Sequence, residues 1–460
     1  MVNLLEMSDE DLINSLKHGE LTVAVYGMGY VGTAIAAVWA RAGAKIIGVD
    51  ADQRKIAAFK SCTFKLSDST VEAELRRLSK SFSYTMNGEE ASANSQVKIV
   101  TVPIYIRDGE PKFEAFLSAM ESIGKGLKRG DLIIIESSVP PRTTVDIAKP
   151  ALERVSGLTA EDDFGLVYSP ERIYVGRAVQ DIEERYPKVI GGIGPRSARV
   201  AKALYGAIAK KGILEVSSPT VAETEKLVEG VYRDVNIALA NEVARLCRSL
   251  GIDFDEVRDA ANSQPYSHLH KPGPGVGGSC IPVYPQFLLY TAKRIGAQLD
   301  LTALGRQINV MSAKYVFDLI REAASLINAA NPRISVLGLA FRGDVDDTRL
   351  SPSYDVIRHL VNNGFKQLLV HDPFVEQDDV LRELGVPLTK DLDAALRADV
   401  IAILTDHSEY FKLSLDDIGR RNARAAVVDA RHVIRNWRNP PKNVVYMGIG
   451  RPTVGEIHER

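Results

Sequence analysis

Three glycines and an aspartate stand where they could bind a phosphate-containing ligand. Gly27, Gly29 and Gly32 follow the apolar run 21–26 and open a helical stretch, and Asp50 closes the next apolar run. Glycines in this arrangement permit a tight turn and close approach of the backbone to a pyrophosphate, while the acid can accept hydrogen bonds from an adenosine ribose. The pattern therefore predicts a dinucleotide site, with a glycine turn that binds nothing as the alternative.

The predicted dinucleotide is NAD, because the Asp50 carboxylate would repel the 2′-phosphate of NADP. Arg54, shortly after Asp50, keeps NADP as an alternative. The predicted cofactor-binding residues are Gly27, Gly29, Tyr30, Val31, Gly32, Asp50, Arg54, Thr101 and Pro103.

Cys280 is the second candidate for chemistry. It lies in the segment KPGPGVGGSCIPVYP (271–285), where consecutive glycines expose backbone amides and let a ligand approach closely. A lone cysteine is most often a small buried apolar residue, but this context favours a reactive thiol. Cys62 and Cys247 lack such a context, and three scattered cysteines predict neither a disulfide framework nor a metal site.

Alternating strands and helices must hold these residues. In the first third, short runs rich in Val and Ile alternate with helical spacing, which predicts a doubly wound parallel sheet with strands at 21–26, 44–50, 96–102, 131–137 and 164–169. The last third repeats this pattern, with strands at 333–340, 367–372, 399–405 and 426–430. Between them we predict two long helices, from Pro219 to near Gly251 and from about Leu301 to Ala329.

The predicted fold class is α/β, with two Rossmann-like doubly wound parallel-sheet domains joined by a central helical domain with a long helix. We expect a helical extension capped near Ser8 (1–20), an NAD-binding domain (21–212), a central domain with the cysteine loop (213–330) and a C-terminal Rossmann-like domain (331–460). In the C-terminal domain Ala340 replaces the middle glycine of the turn, so no second dinucleotide is expected. Arg342, in that turn, could meet a phosphate or a uracil.

The charge balance argues against some partners. Lys and Arg total 57 against 59 Asp and Glu, for a net charge of −2. Proteins that bind nucleic acid or an anionic membrane usually have a basic excess, so neither partner is expected. Segment 1–20 lacks the regions of a signal peptide, and no stretch reaches the roughly 18 apolar residues of a membrane span. We therefore expect a cytoplasmic protein.

Six segments resemble a known family: GMGYVG (27–32), SPERIYVG (169–176), AETEKLVEGVYRDVNIALANE (222–242), KPGPGVGGSCIP (271–282), VLGLAFRGDVDDTRLSP (336–352) and HDP (371–373). In type, order and spacing they resemble the UDP-glucose/GDP-mannose dehydrogenase family over essentially the whole chain after residue 20. The variants PGPGVGG and SPER are similar to the branch that acts on UDP-N-acetylhexosamines, especially UDP-N-acetyl-D-mannosamine. UDP-glucose and UDP-N-acetylglucosamine are the alternative substrates.

The resemblance implies a four-electron oxidation of a sugar C6 alcohol to a carboxylate by two NAD, through a thiohemiacetal and a thioester on Cys280. It implies that Lys226 stabilises an oxyanion, that Glu171 assists hydrolysis of the thioester and that Ser138 positions a water or the hydroxyl. The implied substrate-binding residues are Arg172, Lys271, Gly275, Gly277, Gly278, Phe341, Arg342 and Arg431.

Family members usually form dimers, which implies a homodimer through the long helix. That helix has apolar residues on more than one face, and they include Val228, Val231, Val235 and Leu239.

Three positions depart from the family pattern. Gly230 replaces an asparagine one helical turn after Lys226, Tyr284 replaces an aspartate after the cysteine, and Ser279 replaces a histidine. A tyrosine, with a usual pKa of about 10, is a poor base at neutral pH. We therefore expect altered turnover, with Glu171, His268 or His270 as the base.

Two other functions stay open. A catalytically silent nucleotide-sugar binding protein would also fit the departures at Gly230 and Tyr284. A simple two-electron dehydrogenase would have no use for Cys280.

Overall fold

The computed structural model describes residues 2–174 and 176–455. It forms two compact units. The first comprises the chain up to Val228 together with Gln286–Gly296, and the second comprises Glu229–Pro285 together with the chain from Ala297 onward.

The first unit is built on a mixed sheet. Within the described residues, its strands are β1 Thr22–Tyr26, β2 Lys45–Val49, β3 Phe82–Thr85, β4 Val97–Val100, β5 Tyr105–Arg107, β6 Glu110–Lys112, β7 Leu132–Ile135, β8 Gly165–Tyr168, β9 Lys188–Gly192 and β10 Ile213–Val216. Eight of these pair in the order β10-β9-β8-β7-β4-β1-β2-β3, and β5 and β6 form a separate hairpin. Only the β8–β9 pair in the large sheet is antiparallel. In this strand order the chain proceeds from β1 to β2 and β3 on one side and then continues with β4 on the other side of β1. The position between β1 and β4 is therefore the switch point, where such sheets open a crevice for a nucleotide.

Helices cover both faces of this sheet, as expected for strands that are buried throughout, such as β4 and β7. They are α1 Asp9–Lys17, α2 Tyr30–Arg41, α3 Gln53–Lys60, α4 Ser69–Arg77, α5 Gly88–Ala93, α6 Glu114–Gly126, α7 Lys149–Ser156, α8 Ala178–Gln180 and α9 Pro195–Gly206, with shorter helical turns at Ser79–Ser81, Thr144–Ala148 and Asp181–Arg185. The predicted cap at Ser8 is confirmed, because its side chain accepts a hydrogen bond from the amide of Asp11.

The long helix α10 extends from Pro219 to Leu250, as predicted. Gly251, in the left-handed region with φ +72°, follows its last residue. After it come α11 Phe254–Ala261, α12 Tyr284–Ile295 and α13 Asp300–Leu326. Helix α13 is the second predicted long helix, and it ends earlier than expected, shortly before Asn328 takes a left-handed conformation.

The second unit has a sheet of the same kind. Its described strands are β11 Arg333–Leu337, β12 Gln367–His371, β13 Leu388–Thr389, β14 Val400–Ile403, β15 Ala425–Asp429, β16 Val444–Gly448 and β17 Arg451–Val454, in the order β13-β12-β11-β14-β15-β16-β17. The β16–β17 pair is antiparallel and the others are parallel. The remaining helices are α14 Pro352–Asn362, α15 Asp379–Leu384, α16 Leu392–Ala395, α17 Leu415–Arg421 and the turn Tyr410–Lys412.

The predicted fold, two doubly wound sheets with a long central helix, is confirmed. Among the strand pairs that the structure describes, each sheet differs from a purely parallel one by a single antiparallel pair. In the part of the chain that the structure describes, no helix combines the length and the apolar character needed to cross a membrane.

Candidate active site

The first glycine turn has the shape of a phosphate cradle. Gly27 has φ +97°, and a Cβ atom on Gly32 would overlap the carbonyl oxygen of Gly27, so both positions require glycine. A Cβ atom on Gly29 would meet no atom within 4 Å. Gly29 caps α2, whose first turn contains no acidic residue, so the helix N-terminus can attract an anion in that open space. The turn therefore fits a pyrophosphate.

Asp50 lies just beyond β2 and is held at the edge of this turn. Its Oδ2 accepts a hydrogen bond of 3.0 Å from the amide of Met28, and the Lys55 ammonium lies 3.3 Å from the same oxygen. Arg54, in contrast, is exposed and pairs with Asp52 at 3.4 Å. Asp50, which is expected to bind a ribose, is therefore next to the phosphate cradle. Arg54, the reason for considering NADP as an alternative cofactor, is instead paired with Asp52.

The other predicted cofactor-binding residues differ in their contacts and in their exposure. Thr101, after β4, donates hydrogen bonds to the carbonyls of Gly27 at 2.7 Å and Tyr26 at 3.0 Å, so it fixes the turn from the opposite side of the crevice. The Tyr30 hydroxyl donates to the carbonyl of Tyr174 at 2.7 Å. Val31 packs against the core of the unit, and Pro103 is exposed.

Glu223, a residue that the sequence analysis missed, joins the helix that carries Lys226 to the segment shortly after Ser138. Ser138 lies in the loop after β7, and Glu223 lies one turn before Lys226 in α10. The fully buried Glu223 carboxylate accepts hydrogen bonds from the amides of Arg142 at 2.6 Å and Thr144 at 2.7 Å, just after that loop. Burial raises the pKa of Glu223 to about 7, although the hydrogen bonds from Thr144 and Arg142 oppose the shift.

Glu171 and Arg172 follow β8 and are both engaged within the first unit. Glu171 is buried and pairs with the ammonium of Lys188. The Arg172 guanidinium donates to the carbonyl of Pro187, lies 3.8 Å from Glu225 and stacks over the ring of Tyr186. Arg172, predicted to bind substrate, therefore has a role in holding this loop.

Cys280 belongs to the second unit and is exposed at the start of a turn. Its carbonyl accepts hydrogen bonds of 3.0 Å from the amides of Val283 and Tyr284, and this turn leads into α12. Among the other cysteines Cys62 is exposed and Cys247 is buried, as expected for a core position on α10.

The glycine loop before Cys280 packs directly on two predicted substrate residues. A Cβ atom on Gly277 would lie 2.6 Å from the Cβ of Phe341, and one on Gly278 would lie 2.9 Å from the ring of Phe341. A Cβ atom on Gly273 would lie 2.9 Å from a guanidinium nitrogen of Arg431. Arg431 in turn donates to the carbonyl of Phe341 at 3.2 Å. The second unit therefore gathers this loop, Phe341 and Arg431 in one place.

The remaining predicted substrate residues border this cluster. Arg342 is the half-buried neighbour of Phe341, Gly275 lies within the loop and Lys271 is exposed at its start. The loop is anchored to α10 by asparagines that the sequence analysis also missed. Asn236 accepts a hydrogen bond from the amide of His270 and Asn241 accepts one from the amide of Gly273, each at 2.9 Å.

The glycine turn after β11 also has an acid beside it, but the surroundings of this acid differ from those of Asp50. Asp372, just after β12, is buried and accepts hydrogen bonds from the amides of Leu339 at 2.8 Å and Ala340 at 3.0 Å. His407, 3.1 Å away, adds another, and despite burial these partners hold the pKa of Asp372 well below its usual range. The acid that corresponds to Asp50 is thus enclosed by protein.

The departures at Gly230 and Tyr284 meet in the structure. The Tyr284 ring is 2% exposed and covers Gly230, where an added Cβ atom would overlap ring carbon Cδ2 and lie 3.2 Å from Cγ. No side chain fits at position 230 unless the ring moves. The two departures from the family pattern are therefore linked, because the Tyr284 ring occupies the space that a side chain at position 230 would need.

Comparison with known proteins decides the family. Profiles of the UDP-glucose/GDP-mannose dehydrogenase family match residues 21–209 (NAD binding domain), 220–311 (central domain) and 335–436 (UDP binding domain). The chain belongs to this family. It is an NAD-dependent nucleotide-sugar dehydrogenase, an oxidoreductase, and the resemblance found in its motifs is confirmed.

Its relatives share nearly the whole chain. UDP-N-acetyl-D-mannosamine dehydrogenase of Pyrococcus horikoshii is 32% identical, and the match covers 94% of this chain and 100% of the relative. NDP-N-acetyl-D-galactosaminuronic acid dehydrogenase of Ralstonia solanacearum is 31% identical, with 89% and 95% covered. A solved structure of UDP-D-ManNAc dehydrogenase from Pyrococcus horikoshii superposes with a TM-score of 0.85 at 31% identity, covering 94% of this chain and 99% of that one.

Proposed function

We propose that this dehydrogenase oxidises the C6 hydroxyl of a UDP-N-acetylhexosamine to the carboxylate, in two successive hydride transfers, with UDP-N-acetyl-D-mannosamine as substrate. The observation that carries the proposal is Cys280, exposed at the end of a glycine loop that packs on Phe341 and Arg431. The names of the relatives from Pyrococcus horikoshii and Ralstonia solanacearum support an N-acetylated sugar. UDP-glucose is the alternative substrate.

The residues divide the chemistry as follows. NAD, when bound, accepts one hydride in each oxidation. The first oxidation removes the hydroxyl proton and a hydride from C6 and leaves an aldehyde. The thiol of Cys280 adds to that aldehyde, with its proton going to the oxygen, and loss of a second hydride and of that proton leaves a thioester. Water then attacks the thioester carbon, the carbon–sulfur bond breaks and the thiol is restored.

Charge develops on the substrate oxygen in these steps. In our proposal the Lys226 ammonium stabilises it, Ser138 positions the hydroxyl or a water, and Glu171 takes a proton from the attacking water. Lys271, Arg342 and Arg431 hold the nucleotide, with Phe341 and the glycines 275, 277 and 278 around it. Asp50 and the turn 27–32 hold NAD.

The stoichiometry of NADH tests the proposal. We expect two NADH for each UDP-N-acetyl-D-mannosamine consumed, because an alcohol and a carboxylate differ by four electrons. Parallel reactions with UDP-N-acetylglucosamine and UDP-glucose identify the sugar. One NADH per sugar with free aldehyde would indicate a two-electron dehydrogenase. Binding of NAD and UDP-sugar without NADH would indicate a silent binding protein.

We also infer a homodimer through α10. Val228, Tyr232, Leu239 and Leu246 recur at helical spacing on one face and are each about half exposed, at 49%, 52%, 46% and 57%. Val235, in contrast, packs against Gly305 of α13. An apolar stripe of this length is typical of a helix covered by a partner.

The mass in solution tests the dimer. We expect light scattering to give twice the 50.3 kDa of one chain, and Leu246→Glu to reduce it to one chain. Leu214→Glu, at an equally exposed apolar position on β10, is the matched control and should leave the mass unchanged. A wild-type mass of one chain would contradict the inference.

Two further inferences concern organisation. We propose that the helical extension (1–20), the NAD-binding domain (21–212), the central domain (213–330) and the UDP-sugar domain (331–460) are the functional divisions of the chain. We also propose that the enzyme works in the cytoplasm, where its nucleotide-sugar substrate would be made.

A further inference from the structure

A buried cluster of charged groups surrounds Glu171. Glu136 directly follows β7, Lys188 opens β9 and Tyr205 lies in α9. The Lys188 ammonium pairs with Glu171 and lies 3.1 Å from Glu136 Oε1. The Tyr205 hydroxyl donates a hydrogen bond to the same Glu136 oxygen. All four residues are more than nine-tenths buried.

The cluster contains two carboxyl groups but only one ammonium. Glu136 Oε2 is buried and has no hydrogen-bond partner among the described residues. A buried carboxylate oxygen without a partner is costly, and a proton on Glu136 would remove that cost. Burial accordingly raises the pKa of Glu136 to about 7, helped by the charge of Glu171 and opposed by Lys188.

Lys188 keeps its charge in this setting. Burial alone would lower the pKa of Lys188, but the attraction of Glu136 and Glu171 outweighs burial and the pKa is raised. The ammonium also lies 4.6 Å from the centre of the Tyr205 ring, a favourable position for a cation. The proton that can leave near neutral pH is therefore that of Glu136, and the groups that face it are Lys188, Glu171 and Tyr205.

We propose that Glu136 and Lys188 are positioning residues for Glu171, and that Glu136 carries a proton while Lys188 is paired with Glu171. When Glu136 releases this proton to solvent, two carboxylates share one ammonium. Glu171 is then less completely neutralised and better able to take a proton from water. The proposal deepens the proposed function, because it rests on the role of Glu171 in hydrolysis.

Infrared difference spectroscopy tests the proton without any need for activity. We expect protonated carboxylic acid absorption in the wild-type protein at pH 6 that disappears by about pH 8, with one band from Glu136 and one from Glu223, the other carboxyl group whose pKa burial raises to about 7. The Glu136 band should be absent from Glu136→Gln and should remain in Glu223→Gln, which loses only the other band. The Glu136 band should persist in Glu183→Gln, a matched control, since Glu183 is also buried but pairs with Arg41 at 3.3 Å outside the cluster. Absorption in Glu136→Gln equal to that of the wild type, or none in the wild type, would overturn the proposal.

The pH dependence of hydrolysis tests the positioning role. In the wild type, release of the uronate should accelerate between pH 6 and pH 8. In Glu136→Gln this rise should be lost and the rate at pH 8 should fall by roughly 10- to 100-fold, with KM unchanged. Lys188→Arg should retain more of the rate than Lys188→Met. A rise that persists unchanged in Glu136→Gln would refute the role.

The two failures can be told apart. If no sugar yields NADH, the proposed function fails while the infrared test still decides where the proton lies. If two NADH form but Glu136→Gln behaves like the wild type, only the present proposal fails.

Discussion

Cys280→Ser is expected to abolish the second oxidation. Serine can replace the thiol in volume, but its hydroxyl is a far weaker nucleophile at neutral pH and has no base assigned to it here. We expect turnover to fall by roughly 10³- to 10⁶-fold, the range seen when a covalent nucleophile is removed. NADH per sugar consumed should drop from two to at most one, with aldehyde as the product of the remaining reaction.

Cys62 provides the matched control, because it is the other exposed cysteine among the described residues. Cys62→Ser should keep the wild-type stoichiometry and rate. Iodoacetamide should label both thiols, and bound UDP-sugar should protect Cys280 alone, as read by peptide mass spectrometry. Full activity in Cys280→Ser would contradict the thioester and favour the simple two-electron dehydrogenase.

The parts of the fold that the sequence predicted are those with continuous apolar runs. Strands β4 and β7 are buried along their whole length, and their composition shows it. Strands β3 and β10 were missed because they are the two edges of the first sheet and are half exposed, so they carry no such run. Strands β9 and β16 were missed as well, although they are buried along their whole length. The break between α10 and the segments after it was predicted from a single glycine, Gly251.

The candidate site also contains residues that the sequence could predict and residues that it could not. The glycine turns and Cys280 could be found because each is specified by neighbours in sequence. Glu223, Asn241 and the pair of Glu136 with Lys188 could not, since each acts on a partner far away along the chain. A polar residue on an apolar helix or strand suggests such a role, but only the fold identifies its partner.

Gly230→Asn is expected to be severely disruptive alone, although asparagine is what the family pattern has there. The new side chain would overlap the Tyr284 ring, which is buried and cannot swing into solvent without losing its contacts. Overpacking of this kind costs about 1–3 kcal/mol, more than the few tenths of a kcal/mol that replacing glycine returns to a helix. We expect a lower urea midpoint and loss of NADH formation.

Gly206→Asn is the control for the substitution itself. Gly206 ends α9, and an added Cβ atom there would meet no atom within 4 Å. This variant should have a urea midpoint close to that of the wild type. A similar loss in Gly206→Asn and Gly230→Asn would mean that asparagine, and not the ring, is the cause.

A double-mutant cycle shows whether the two positions are one unit. Tyr284→Ala alone should cost about 3–5 kcal/mol through the cavity it leaves. In that background Gly230→Asn should cost less, or stabilise, because its side chain enters the vacated space. We expect a coupling free energy of about 1–3 kcal/mol, whereas additivity within about 0.5 kcal/mol would contradict the contact.

The same pair bears on hydrolysis. Tyr284→Asp alone would place a carboxylate in a space shaped for a ring, without the polar neighbour that position 230 supplies in the family pattern. Only Gly230→Asn combined with Tyr284→Asp fills the space and provides a carboxylate after Cys280. We expect this double variant to release the uronate faster than either single variant, measured as decay of the acyl-enzyme after a single turnover. If the double variant exceeds the wild type, the tyrosine has slowed hydrolysis in this enzyme; if it does not, the cluster around Glu171 already supplies the base.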